Sequence, residues 1–261
     1  MALPVNQIIC GDCLEVMPTL PDGCIDMVMC DPPYGTTACK WDSIIPLEPM
    51  WEQLKQLIKP NGAIVMTASQ PFTTTLIASN MKMFRYCWIW EKTRVSGFLD
   101  CRRRPLLNYE DICVFSHKQT IYNPQGVIHG KFKNSRPCKN NPKYMEGKVY
   151  GNIKQTKFAT QRNYPRRIIK ISNPNNKTLH PTQKPVALME YLIKTYTNEG
   201  ELVLDFTIGS GTTAVACINT GRNFIGIERD EKYCEIANKR IAEAKGQMGL
   251  FEEKPCQPTQ S

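Results

Sequence analysis

The sequence predicts an α/β protein built on a doubly wound, mostly parallel sheet, and three observations carry that expectation. Strand-length apolar runs alternate with helix-length amphipathic stretches. Two of those runs end in an acid followed at once by a turn signal, at Asp31 and Asp205. The positive excess sits wholly in one stretch, which marks an insertion rather than a second core.

In chain order, Val5–Ile9 reads as a strand, and Cys24–Cys30 as another, apolar except for Asp26. Leu47–Ile58 reads as a helix because Met50, Leu54, Leu57 and Ile58 share one face, and Lys59-Pro60-Asn61-Gly62 ends it. Ala63–Thr67, Tyr86–Trp90 and Ile112–Phe115 are further strands. Pro185 suits the first turn of a helix running to about Thr197. Glu201–Asp205 is a strand, Gly211–Thr220 a helix closed by Gly221, and Asn223–Glu228 a strand. Asp230 caps a last helix reaching about Lys245, and from Gly246 the chain reads as a flexible tail.

The 261 residues carry 33 Lys+Arg against 24 Asp+Glu, a net of +9. Residues 116–179 alone hold 14 Lys+Arg and one acid, Glu146, a net of +13; the remainder is therefore at −4. That segment has nine Asn and only eleven residues from Ala, Val, Ile, Leu and Met, too few for a core of its own. Aromatics are interleaved with its charges, at Tyr122, Phe132, Tyr144, Tyr150, Phe158 and Tyr164. Cations neutralise phosphates and rings stack on bases, so the segment reads as a nucleic-acid surface, which Arg102, Arg103 and Arg104 extend. A merely solvated loop would mix both signs.

Several classes are excluded. No run approaches the roughly 18 apolar residues that span a bilayer, and Met1–Asp12 shows no basic region leading into an apolar stretch, so a cytoplasmic protein with no membrane partner is expected. The twelve cysteines suggest neither a disulfide framework, which belongs to short secreted chains, nor zinc. Cys10 and Cys13 have no second pair, and the histidines number three, so no metal site is expected.

Two segments carry chemistry. In Leu202-Val203-Leu204-Asp205-Phe206-Thr207-Ile208-Gly209-Ser210-Gly211-Thr212-Thr213 a strand runs into a glycine turn that opens a helix, and Asn223–Glu228 then ends in an acid suited to ribose hydroxyls. The third glycine of a dinucleotide fingerprint is replaced by Ala214, and Asp205 would repel a diphosphate; it suits a cationic ligand such as the methionine end of S-adenosylmethionine. The second segment, Asp31-Pro32-Pro33-Tyr34, follows directly on a strand. Its prolines fix the backbone and leave carbonyl acceptors, so a carboxylate plus a carbonyl can grip both hydrogens of an amino group while Tyr34 stacks on the ring.

Asp31-Pro32-Pro33-Tyr34, His180-Pro181-Thr182-Gln183-Lys184-Pro185, the segment from Asp205 to Thr213 and Gly226-Ile227-Glu228 together resemble the DNA amino-methyltransferases, in the motif order of their permuted β class. Gly11-Asp12-Cys13 is similar to that class's opening motif. The resemblance covers nearly all of 1–115 and 179–245. It implies a Rossmann-like methyltransferase domain there, a target-recognition region inserted at 116–178 and a tail at 246–261. It further implies S-adenosylmethionine as cofactor, with Asp31, Pro32, Pro33 and Tyr34 as the catalytic set. Asp12, Thr182, Lys184, Asp205, Phe206, Gly209, Gly211, Thr212 and Glu228 are its cofactor-binding set, Thr182 and Lys184 on the carboxylate and Glu228 on the ribose. Ile208 stands where the family often has a smaller residue.

The activity so implied is methylation of the N6 amino group of a flipped-out adenine in double-stranded DNA. Cytosine N4 is the alternative base, less favoured because the family's cytosine enzymes more often have Ser at position 31. The same motifs are compatible, less closely, with a catalytically idle DNA-binding module, an RNA methyltransferase or a protein-glutamine methyltransferase. Family members are often dimers; no sequence feature decides this here. Gln247-Met248-Gly249-Leu250-Phe251 resembles peptides that dock on the bacterial sliding clamp, against the plainer reading that Leu250 and Phe251 fold back on the protein's own surface.

Overall fold

The computed structural model describes residues 3–36, 42–133, 158–173 and 183–252. The strands are β1 (Gln7–Cys10), β2 (Ile25–Cys30), β3 (Ile58–Ala68), β4 (Phe84–Ser96), β5 (Leu107–Phe115), β6 (Ile128–Lys133), β7 (Phe158–Arg162), β8 (Ile168–Lys170), β9 (Leu202–Asp205) and β10 (Asn223–Glu228). The helices are α1 (Cys13–Val16), α2 (Leu47–Leu57), α3 (Phe72–Ser79), α4 (Val186–Tyr196), α5 (Thr212–Asn219) and α6 (Glu231–Glu252).

Eight strands form one sheet in the order β1-β10-β9-β2-β3-β5-β4-β8. Every pairing is parallel except those of β5 with β3 and with β4. Alternate side chains feed two apolar layers, as the period of two requires. Val28, Cys30, Ile64 and Met66 pack with Met50, Leu54 and Leu57 of α2 and Leu76 of α3. Met27, Met29, Ala63 and Val65 pack with Leu188 and Leu192 of α4 and Ala214 and Cys217 of α5. The sheet is thus covered on both faces, the doubly wound arrangement expected of near-continuous apolar strands.

Register then decides where the polar residues fall. Cys10 lies opposite Glu228, Gly226 opposite Asp205, Val28 opposite Leu204 and Cys30 opposite Met66. The carboxyl ends of β1, β10, β9 and β2 therefore present Asp12, Glu228, Asp205 and Asp31 side by side, on strands about 4.8 Å apart. Antiparallel β5 begins at that same edge, with Glu110 opposite Trp90 and Asp111 opposite Ala68.

Two units divide the chain, 1–123 with 167–261, and 124–166. The second contains the antiparallel pair β6–β7, in which Arg162 lies 4.4 Å over the Phe132 ring. It falls inside the basic segment and holds ten of its Lys and Arg, while β8, also from that segment, joins the main sheet beside β4.

The structure corrects several sequence expectations. The breakers Lys59–Gly62 do not precede β3 but form a bulge within it, between the pairs Ile25–Ile58 and Met27–Ala63. Helix α3 was not predicted, because its three threonines hide a helix held by the burial of Phe72 and Leu76 rather than by propensity. The last helix does not stop near Lys245 but runs through Gly246 to Glu252, a glycine costing only about 1 kcal/mol in a helix interior. The clamp-like pentapeptide 247–251 thus lies on a helical backbone, and its side chains from 248 onward lie outside the described residues.

Ile208 and Gly226 explain each other. A Cβ on Gly226 would overlap the Ile208 side chain and lie 2.8 Å from Cδ1 of Ile8. Gly226→Ala should therefore destabilise the protein by about 1–3 kcal/mol through overpacking. Adding Ile208→Ala should recover most of that loss, as read from urea midpoints in a double-mutant cycle.

Candidate active site

A cleft of about 840 Å³ opens along the carboxyl edge of the sheet, within the size range of cofactor sites. It is lined by Asp12, Asp31, Pro32, Pro33, Tyr34, Lys184, Asp205, Phe206, Gly209, Thr212 and Glu228, so eleven of the thirteen sequence-predicted residues share one cavity. Of the other two, Thr182 lies outside the described residues. Gly211 does not line the cleft: its φ is +83°, and a Cβ there would sit 3.0 Å from that of Ala237 in α6, so it serves the turn and its packing.

Asp31 is held by three donors. Its Oδ1 accepts from the Tyr34 hydroxyl at 2.7 Å and from Thr67 Oγ1, and its Oδ2 accepts from Lys184 Nζ at 2.8 Å. An ionised carboxylate has about four acceptor positions. One remains, on Oδ2, and Pro32 and Pro33 line the same cleft. Burial, reinforced by Asp31 and Glu110, pushes the Tyr34 phenol well above its ordinary range, so it stays a donor. The Tyr34 ring stacks at 5.4 Å on Phe72 and has Lys184 Nζ 5.5 Å from its centroid. Asp42, buried, accepts from the backbone N–H groups of Tyr34, Gly35 and Thr36 at 2.8–2.9 Å and so fixes the loop behind the prolines.

Lys184, only 6% exposed, is placed on Asp31 and on Glu110, whose Oε2 is 3.2 Å from its ammonium, rather than along the cofactor strands. Lys92 completes the row at 2.6 Å from Glu110 Oε1. Burial alone would push the Lys184 ammonium down, but Asp31 and Glu110 outweigh it and hold it above its ordinary value. Sequence reasoning missed Thr67, Lys92 and Glu110. None lies in a motif, and only the register of β3, β4 and β5 brings them to the edge.

At the other end of the cleft, Asp205 accepts from Thr207 N at 3.1 Å and Thr213 Oγ1 at 2.6 Å. Burial, offset in part by these bonds, pushes its carboxyl up to about 7, and Asp31 and Glu228 push the same way. A desolvated acid whose charged neighbours are acids fits a ligand that brings its own cation. Glu228 accepts from Gly209 N at 2.8 Å and Asp230 N at 2.9 Å, one on each oxygen, leaving a lone pair on each for vicinal hydroxyls. Gly209 has open space where a side chain would stand. Acid for a cation, paired acceptors for a diol and an open glycine between them together fit S-adenosylmethionine.

Cysteine chemistry does not compete. Cys13 lines the cleft, but burial pushes its thiol up to about 11, and Cys30 is buried against Thr207. Among the described residues no cluster of metal-binding side chains occurs, and no helix is long and apolar enough to cross a membrane.

Residues 25–239 match the family model described as DNA methylase. Similar curated proteins include the Type II methyltransferase M.HpaI of Haemophilus parainfluenzae, 27% identical over 252 residues, covering 90% of this chain and 74% of the relative. The Type II methyltransferase M2.DpnII of Streptococcus pneumoniae is 27% identical over 256 residues, covering 88% and 87%. Among solved structures, the M1.HpyAVI–SAM complex has a TM-score of 0.60 at 27% identity, covering 90% of this chain and 98% of its own. The cytosine-N4-specific PvuII DNA methyltransferase has a TM-score of 0.63 at 15% identity, covering 92% and 91%, a likeness of fold.

The Asp31–Lys184–Glu110 row generates a prediction. Lys184→Met should leave the buried Glu110 and the half-buried Asp31 each short of a partner and cost roughly 3 kcal/mol in urea unfolding, whereas Glu110→Gln, which keeps a polar partner, should cost less.

Proposed function

This chain belongs to the DNA methylase family, and we propose that it transfers a methyl group from S-adenosylmethionine to the N6 amino group of an adenine flipped out of double-stranded DNA. The observation that carries the reading is the grip on Asp31: a carboxylate with one acceptor position left open, in the same cleft as Pro32, Pro33, Asp205 and Glu228. Adenine is favoured by the acid at position 31. In keeping with relatives named Type II methyltransferases, the class is restriction–modification.

S-adenosylmethionine supplies an electrophilic methyl group on a sulfonium. The chain's residues do the rest. Asp31 Oδ2 accepts one hydrogen of the target amino group and a carbonyl of Pro32 or Pro33 the other, which draws the nitrogen lone pair out of conjugation with the ring and aims it at the methyl carbon. Positive charge develops on that nitrogen as the bond forms, and the fixed acceptors stabilise it without reorganising. Asp31 is also the hydrogen-bonded base nearest the proton that departs. Glu228 would hold the ribose hydroxyls and Asp205 the ammonium, fixing the donor against the acceptor, and such positioning supplies much of the acceleration in a displacement of this kind. The base reaches the cleft only by leaving the stack.

Two measurements test this reading. Digestion of DNA from cells expressing the protein, followed by nucleoside mass spectrometry, should show N6-methyladenine. N4-methylcytosine instead would reassign the base, and neither product would sink the reading. Asp31→Ala should lose transfer by 10³-fold or more, about the effect of removing an electrostatic clamp, with cofactor affinity largely kept.

A third measurement concerns pH. The Asp205 carboxyl of the free protein titrates at about 7, and a cationic ligand favours its ionised form. Cofactor affinity should therefore tighten as pH rises through about 7 and level off above it, while Asp205→Asn flattens the profile. The same raised value makes the unliganded fold lose stability as pH climbs from about 4 to about 7, where the unfolded chain is already ionised.

A further inference from the structure

The arm formed by the end of β4 and the start of β5 has no part in the chemistry above. Ser96 pairs with Leu107 at its base, and both residues line the cleft. Beyond that pair the chain makes a turn carrying Phe98, 62% exposed, and Leu99, 103% exposed, so the leucine touches nothing. Single exposed leucines are ordinary. Two adjacent large apolar side chains at the tip of an arm are less so, and these are presented on a closed turn. Asp100 N donates to Gly97 O at 3.0 Å, Cys101 N to Phe98 O at 3.3 Å, and Arg103 N and Arg104 N to Asp100 O at 2.8 and 3.0 Å.

Behind them stand Arg102, Arg103 and Arg104, all exposed. Arg104 pairs with Asp100 at 2.6 Å, so the tip carries a net charge of +2. Location completes the picture. Consecutive Cα atoms are 3.8 Å apart, so Phe98 lies within about 8 Å of Ser96 and Leu99 within about 11 Å. The apolar tip therefore stands on the rim of the cleft.

We propose that Phe98 and Leu99 form a wedge that enters the DNA stack beside the flipped base, with Arg102 and Arg103 seated on the adjoining phosphates. The proposal rests on the reading of the cleft as a site for a flipped base. Flipping leaves a gap and loses stacking on both of its sides. An apolar side chain in that gap restores contact and keeps the base from returning. The arginines select a polyanion as the partner. A second copy of the chain would bring an equally positive tip, and two such tips repel across a twofold axis.

The test uses the whole protein and, once sequencing of methylated DNA has mapped the site, two duplexes bearing it. One has the target base paired; the other has an abasic position opposite the target, which removes the pairing that the wedge must overcome. In Phe98→Ala/Leu99→Ala, the rate on the paired duplex relative to the abasic one should fall about tenfold, with cofactor affinity and circular dichroism as checks on the fold. In Arg102→Ala/Arg103→Ala, the slope of log affinity against log salt should flatten by about 2.

Equal rate losses on both duplexes, or none, would overturn the wedge, as would an unchanged salt slope. Conversion of a dimer to a monomer by the Phe98/Leu99 change in sedimentation would make the tip a contact between copies and overturn it too. Sequencing that finds no methylated base in DNA from cells expressing the protein removes the methyltransferase reading itself, an outcome distinct from the others.

Discussion

The structure depends on keeping one carboxylate oriented and one acceptor position short of saturation. Asp31 lies just past the end of a buried strand, at the edge where the cleft opens. It is held by donors from three places: Thr67 on the neighbouring strand, Tyr34 in its own loop and Lys184 in the segment leading into α4. Each comes with its own support. Thr67 is fixed by the register of β2 on β3, Tyr34 by Phe72 and by Asp42 behind the loop, and Lys184 by Glu110, which Lys92 in turn balances. Loss of any one donor leaves the others in place, but the carboxylate then has freedom to turn from the direction in which it must accept.

Parallel topology makes this possible with little sequence. Four adjacent parallel strands end at one edge, so four acids widely separated in the chain, from Asp12 to Glu228, fall into one row without a dedicated loop to gather them. The one antiparallel strand, β5, is equally necessary. Running the other way, it delivers Glu110 to the edge at its start, and its hairpin partner β4 delivers Lys92. A parallel strand in place of β5 would deliver its end to the edge and its start to the far side of the sheet.

Motif residues were therefore legible in the sequence, and their supports were not. Asp31, Asp205 and Glu228 announce themselves because each ends an apolar run, and the first two then meet a pair of prolines and a glycine turn. Thr67, Glu110 and Lys92 sit inside or beside ordinary strand sequence, and their meaning comes from cross-strand register, which a single chain does not display. Lys184 was legible as a residue of the cleft, and its contacts with Asp31 and Glu110 were not, because Glu110 lies in no motif. The fold class and most elements followed from periodicity. The failures, the bulge in β3 and helix α3, are places where tertiary burial overrode local preference.

The distribution of charge ties the cleft to its proposed substrate. Seven acids and three bases line the cleft, a net of −4, in a chain whose overall charge is +9. A phosphate entering such a cavity would lose its hydration against a field of its own sign. A sulfonium, an ammonium and an uncharged base would not. Arg102, Arg103 and Arg104, on the arginine-backed tip, are not among the cleft-lining residues. In the proposed reading the phosphates stay with cations outside the cavity, such as the three arginines of the tip, and only an uncharged base that has left the backbone behind enters it.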